Sequence, residues 1–190
     1  MIVGGIYSFN NGQKIIEKDY PNELAEIVEI IQAIDDVSLE LKVSTKKTML
    51  TKVPFKLNSL SKSFQRKFEE QGWASNNRIF CDEPTDFYIL DHTLSIMKQD
   101  SYREMDFVKN GLGVDIHFSK NVPTGYHGCA KMTIFHNEGL IDVGVEIVPL
   151  KELAAEMSTG VSYFEQFVWD LEHRGVSDID IPVLILGIAG

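Results

Sequence analysis

Asn110-Gly111 is the strongest local constraint in this chain. Asn-Gly suits the two-residue type I′ turn, whose central residues both need positive φ, and apolar residues alternate on either side of it. The stretch Glu104 to Phe118 is therefore predicted to be a β-hairpin. Its register follows from the turn: Lys109 faces Leu112, Phe107 faces Val114, Asp106 faces Asp115 and Glu104 faces His117. Strand alternation puts Met105, Phe107, Leu112, Val114, Ile116 and Phe118 on one apolar face. Glu104, Asp106, Asp115 and His117 take the other.

Asp106 and Asp115 fall at a non-hydrogen-bonded pair, with β-carbons expected about 4.5–5.5 Å apart. Directly opposed like charges destabilise a hairpin, and a divalent cation between them removes the penalty. Magnesium takes one or two carboxylates and keeps room for waters and phosphate oxygens. His117 follows Asp115 by two residues and points to the same side. The pattern outlines a metal-assisted hydrolase site. An ordinary amphipathic hairpin with a solvated charged face satisfies the same alternation.

The overall charge of −10 argues against a nucleic-acid partner until its distribution is considered. Residues 42–67 hold Lys42, Lys46, Lys47, Lys52, Lys56, Lys62, Arg66 and Lys67 and no acidic residue, which leaves the remainder at −18. A segregated basic stretch is what phosphate contacts require. A solvated loop leading into a solvated helix face has the same composition. Cys81 and Cys129 form neither a metal motif nor a disulfide framework, and both read as reduced thiols of a cytoplasmic protein. No hydrophobic run approaches a membrane span, and no secretory signal opens the chain. The 190 residues read as one domain, 1–190, without repeats or linkers.

In order, Ile2 to Phe9 reads as a strand and Pro21 to about Ile34 as a helix with Leu24, Ile27, Val28, Ile30 and Ile31 inward. Asn58 is placed to cap a helix from Ser59 to Gln71, with Leu60, Phe64 and Phe68 as its stripe and Gly72 as its stop. Residues from Ser75 to Pro84 look loop-like, and Phe87 to Met97 fits strand and helix equally. Asn121 to Gly128 reads as a loop before a helical segment from about Ala130. His127, Cys129 and His136 lie close in sequence without zinc-site spacing. Leu140 to Val148 is apolar enough for a central strand. Lys151 to Met157 and Ser162 to Arg174 read as helices, the second with Phe164, Phe167, Val168 and Leu171 inward. A last buried strand runs from Pro182 to Ala189.

Asp106-Phe107, the short turn, and Val114-Asp115-Ile116-His117-Phe118 resemble the active-site hairpin of the BglII/BstYI group of type II restriction endonucleases, a branch of the PD-(D/E)XK superfamily. Weaker similarity, on the BstYI side of that group, extends from the Ile2 strand through Ile141 to Ile147 to the closing strand. The resemblance implies an α/β fold with a restriction-endonuclease-like core, a mixed β-sheet flanked by helices. It implies double-stranded DNA as substrate and Mg²⁺, or Mn²⁺ in its place, as cofactor. Asp106, Asp115 and the Ile116 carbonyl would hold the ion. Glu26, on a neighbouring helix, is the candidate for a further acid facing it. Lys46, Lys47, Lys52, Lys62 and Arg66 become phosphate contacts. The Ser158-Thr159 loop with Ser162 resembles the segment that reaches base edges. Small polar residues suit that role but discriminate little, and a plain helix–helix connection fits the loop equally.

Two positions depart from the family pattern: Asp115 stands where Glu is usual, and His117 where Gln is usual. With an ordinary pKa of about 6.5, His117 could accept the proton of the attacking water, which glutamine could not. Cutting both strands needs two sites, most simply from a dimer. An identical second subunit is expected. The rivals are a small cleavage subunit working beside a large recognition and nicking subunit of a type IIS enzyme, and a catalytically degenerate DNA-binding or assembly subunit.

Overall fold

Asn110 and Gly111 both take positive φ, 50° and 85°, as a type I′ turn demands. The computed structural model describes residues 1–34, 57–81, 101–118, 125–157, 160–174 and 179–190. On either side of the turn lie β3 (Tyr102–Lys109) and β4 (Leu112–Ile116), paired in the expected register at Lys109↔Leu112, Val108↔Gly113 and Phe107↔Val114. Before them come β1 (Ile2–Phe9), α1 (Gly12–Asp19), α2 (Pro21–Gln32), α3 (Leu57–Glu70) and β2 (Ala74–Phe80). After them come α4 (Gly125–Asn137), β5 (Val143–Pro149), α5 (Lys151–Met157), α6 (Phe164–Arg174) and β6 (Val183–Ala189).

The strands form one six-stranded mixed sheet in the order β1-β6-β5-β4-β3-β2. Its centre, β4-β5-β6, is parallel, and the outer pairings are antiparallel. Every residue of β5 is buried, as expected of a parallel strand covered on both faces. Helices α2 and α3 cover one face, where Ile27, Ile31, Phe64 and Phe68 meet Phe107, Val114 and Val145. Helices α4 and α6 cover the other through Met132, Phe135, Phe167 and Leu171. The Leu60-Phe64-Phe68 stripe is fully buried, and Phe68 stacks on Phe107 of the hairpin with ring centroids 4.2 Å apart. The mixed sheet with helices on both faces bears out the expected fold class. Among the described residues, no helix is long and apolar enough to cross a membrane.

Several local expectations differ from the structure. Residues 74–80 form an edge strand, not a loop; an edge strand can stay polar because one side of it faces solvent. Helix α1 has no counterpart in the sequence reading, and α4 begins at Gly125, inside the segment read as loop. The strand expected from Leu140 begins at Val143, and Leu140 itself is exposed. Met105 does not share a face with Phe107: it packs with Met132, Phe135 and Ile141 in the opposite cluster, so side-chain alternation in β3 slips at Asp106. Phe87 to Met97 lies outside the described residues.

The turn is braced from outside the hairpin. Asn110 donates to Glu23 (2.6 Å), and the Asp142 amide donates to the Gly111 carbonyl (2.7 Å). A β-carbon on Gly111 would lie 2.6 Å from the Asp142 Oδ2 that also accepts from the Tyr20 hydroxyl. Gly111→Ala should therefore lower stability by about 1–3 kcal/mol, the usual cost of a strained left-handed residue. Urea unfolding with an unchanged m-value and a lower midpoint is the expected result.

Candidate active site

The β3–β4 ladder stops at Phe107↔Val114, three pairs from the turn. Beyond it the strands separate, and the Ile116 amide, which would otherwise lack a partner on that side, donates to Asp106 Oδ2 at 2.8 Å. The expected cross-strand pairs Asp106–Asp115 and Glu104–His117 are consequently not formed as ladder pairs. Glu104 turns instead to Arg78 on β2. Asp106 faces a cleft of about 220 Å³ between α3, β2 and the hairpin, lined by Ser61, Gln65, Asn76, Glu104 and Ile116.

Behind Asp106, beneath α4, lies a cluster of charged groups that the sheet holds out of solvent. Asp115 is 2% exposed, His117 7% and Glu146 0%. Lys131, from α4, donates to Asp115 Oδ2. His117 Nε2 bonds to Glu146 Oε2 and stands 3.4 Å from Asp115 Oδ2. Among the described residues, Glu146 Oε1 has no hydrogen-bond partner.

The pKa shifts follow from this crowding. Burial, then the charge of Asp115, pushes the Asp106 carboxyl up to about 7. Burial alone would lower His117, but the adjoining Glu146 carboxylate and then Asp115 outweigh it and raise the imidazole to about 9. Burial raises Glu146, opposed by His117. For Lys131 burial is outweighed by Asp115 and Glu146, and its pKa rises. Cys129, next to the cluster, has its thiol pushed well up by burial and by Glu146, so it remains a neutral thiol.

A family model described as restriction endonuclease BglII/BglIII matches residues 5–188 of the chain. The chain belongs to the BglII/BglIII restriction endonuclease family. It is a site-specific DNA endonuclease by that membership. Its fold is similar to the crystal structure of restriction endonuclease BglII complexed with a DNA 16-mer, with a TM-score of 0.73 at 19% identity over 98% of this chain and 78% of that one. The chain matches none of the curated proteins.

Of the residues expected from the sequence of this BglII-family chain, the structure brings together Asp106, Asp115, Ile116 and His117. Glu26 is not among them. Both its oxygens accept from Lys109 Nζ (2.8 and 2.6 Å), and one also from Trp73 Nε1 (2.9 Å), near the turn end of the hairpin. A carboxylate and an ammonium that are both partly buried pair with each other more readily than the carboxylate reaches a distant ion. Lys62 and Arg66 lie exposed on α3, Arg66 at 3.7 Å from Glu70. Ser162 is buried ahead of α6, not displayed to a ligand. Lys46, Lys47, Lys52, Ser158 and Thr159 lie outside the described residues.

Glu146 and Lys131 are the functional candidates that sequence reasoning missed. Glu146 did leave a signal, as the single charged residue in the apolar run Val143–Pro149. Charged residues are rarely buried completely without a partner. Lys131 left none, because one lysine on a helix is ordinarily solvated.

The donor set fits a divalent cation: two carboxylates that feel each other's charge, one with a pKa of about 7, and a buried carboxylate oxygen without a partner among the described residues. In metal-free protein Asp106 should cost stability with a definite pH dependence. Below about pH 4 it is protonated in both states; between 3.8 and about 7 only the folded chain keeps the proton, so stability falls as pH rises through that window. In EDTA, Asp106→Asn should therefore raise Tm near about pH 8, by about 2–4 °C per kcal/mol of relieved burial and repulsion of the carboxylate, and the gain should vanish below about pH 4. An equal gain at both pH values would remove the buried charge of Asp106 as its cause.

Proposed function

We propose that this chain is a Mg²⁺-dependent type II restriction endonuclease that hydrolyses phosphodiester bonds of double-stranded DNA at the open end of the β3–β4 hairpin, with Mn²⁺ able to substitute. The observation that carries the reading is the Asp106–Asp115 pair. Burial, and then the charge of Asp115, brings Asp106 to titrate near neutrality where the ladder ends at a cleft.

Asp106 and Asp115, with the Ile116 carbonyl, are the residues that would hold the ion. When bound, Mg²⁺ polarises a phosphoryl oxygen and lowers the pKa of a coordinated water. Asp106 is fixed for this work through its bond to the Ile116 amide, so its free oxygen is oriented before any ligand arrives. With a pKa of about 9 in the metal-free protein, His117 is a cation at neutral pH and donates a hydrogen bond to Glu146. That argues against the general-base role expected from sequence. In the arrangement described, His117 holds Glu146 and Asp115 in place. Lys131, partly exposed, is the cation placed to meet phosphoryl oxygens once Asp115 is engaged elsewhere. Lys62 and Arg66, on the exposed side of the helix that borders the cleft, are suited to backbone phosphates, sequence-independently.

Asp106→Ala and Asp115→Ala should each lower Mg²⁺-dependent plasmid cleavage by about a thousandfold or more, with circular dichroism unchanged. Near-full activity of either variant in excess Mg²⁺ would overturn the site.

The second subunit is taken to be identical. The replacements at Asp115 and His117 favour one other arrangement, a small cleavage subunit beside a larger recognition and nicking subunit. Sedimentation and cleavage by the purified chain separate the two. A stable dimer making double-strand cuts at a palindrome establishes the first. A monomer inert alone, which converts a site-specific nicking protein into a double-strand cutter, establishes the second.

A further inference from the structure

Burying a carboxylate oxygen without a partner carries a cost that folded proteins ordinarily avoid. Glu146 sits at the centre of the sheet with no exposed surface, and its Oε1 has no hydrogen-bond partner among the described residues. Gly128 on α4 packs over that oxygen. A β-carbon there would lie 2.5 Å from Glu146 Oε1 and 3.2 Å from His117 Nε2, so any other residue would crowd both groups. One oxygen each from Asp115 and Glu146 and one ring nitrogen from His117 lie within 4.8 Å of one another. Rotation of the two carboxylates would bring these donors towards the bond lengths of about 2.0–2.2 Å that imidazole and carboxylate ligands make.

We propose that Asp115, His117 and Glu146 form a second cation position beneath Gly128, selective for a transition ion of the Mn²⁺-to-Zn²⁺ series over Mg²⁺. Imidazole is the deciding donor: the ion takes the place of the proton His117 shares with Glu146, and that proton leaves to solvent. Mg²⁺ takes oxygen ligands and keeps much of its water, whereas transition ions bind imidazole readily. Lys131 is the built-in competitor, because its ammonium occupies the same Asp115 oxygen, Oδ2, that faces His117. Asp115 would then lie between two ions, Mg²⁺ on the Asp106 side and the transition ion on the Glu146 side. The inference deepens the nuclease reading through this shared residue. Binding is measured without DNA, so its failure leaves cleavage at the Asp106–Asp115 pair standing.

The test is Mn²⁺ added to the metal-free full chain, with free ion counted by continuous-wave electron paramagnetic resonance and ligation read by pulsed measurements. The wild-type chain should show bound Mn²⁺ with a ¹⁴N coupling from imidazole that persists in excess Mg²⁺. His117→Gln should abolish the coupling. Glu146→Gln should weaken Mn²⁺ binding by about tenfold or more. Lys131→Met should tighten it by removing the competing ammonium. Bound Mn²⁺ without nitrogen coupling, coupling lost to Mg²⁺, or no bound Mn²⁺ at millimolar concentration would each overturn the proposal. Because the coupling is read on the wild-type chain, the outcome does not depend on any variant folding.

Discussion

One amide decides where the hairpin stops being a ladder and becomes a site. The Ile116 N–H lies past the last β3–β4 pair, and the Asp106 carboxylate takes it in place of a backbone carbonyl. An unpaired buried amide costs about 1–3 kcal/mol. The substitution of side chain for backbone therefore lets the strands separate without that loss. Past the last pair Asp106 lines the cleft, while Asp115 lies behind it in the buried cluster.

The buried charges show how such a site stays folded without an ion. Asp115 and Glu146 would be costly alone in the core. Lys131 and His117 neutralise them, each reaching in from a separately anchored position: Lys131 from α4, His117 from the residue just past β4, whose amide bonds to the Ile147 carbonyl at 3.0 Å. Asp106 has no such cation to itself and is left holding a proton instead. The cluster is thus balanced by internal cations behind the sheet and under-balanced at its mouth, which is the side the cleft opens on.

What the sequence disclosed was what adjacent residues dictate. The Asn-Gly turn and the first three pairs of the register are local consequences of φ preferences and alternation, and the α3 stripe is a local consequence of helical period. The register past Phe107 was not legible, because a side chain competes there with the backbone for an amide, and alternation counts only backbone pairs. The partner of Glu26 was not legible for a different reason: Lys109, which bonds to it, is 83 residues away in sequence. Glu146 could have been found, since a single acid in a fully apolar strand calls for a partner. Lys131 could not, and Met105 changed face through the same irregularity at Asp106 that makes the site.

The Glu26–Lys109 pair has a mechanical consequence. Lys109 also donates to the Gln71 carbonyl at 2.9 Å, and Glu26 also accepts from Trp73, so one knot ties α2, the chain leaving α3, and the last residue before the turn. These parts cannot slide past one another without breaking a partly buried ion pair. Any displacement of the hairpin against α2 or the segment after α3 has first to break that pair.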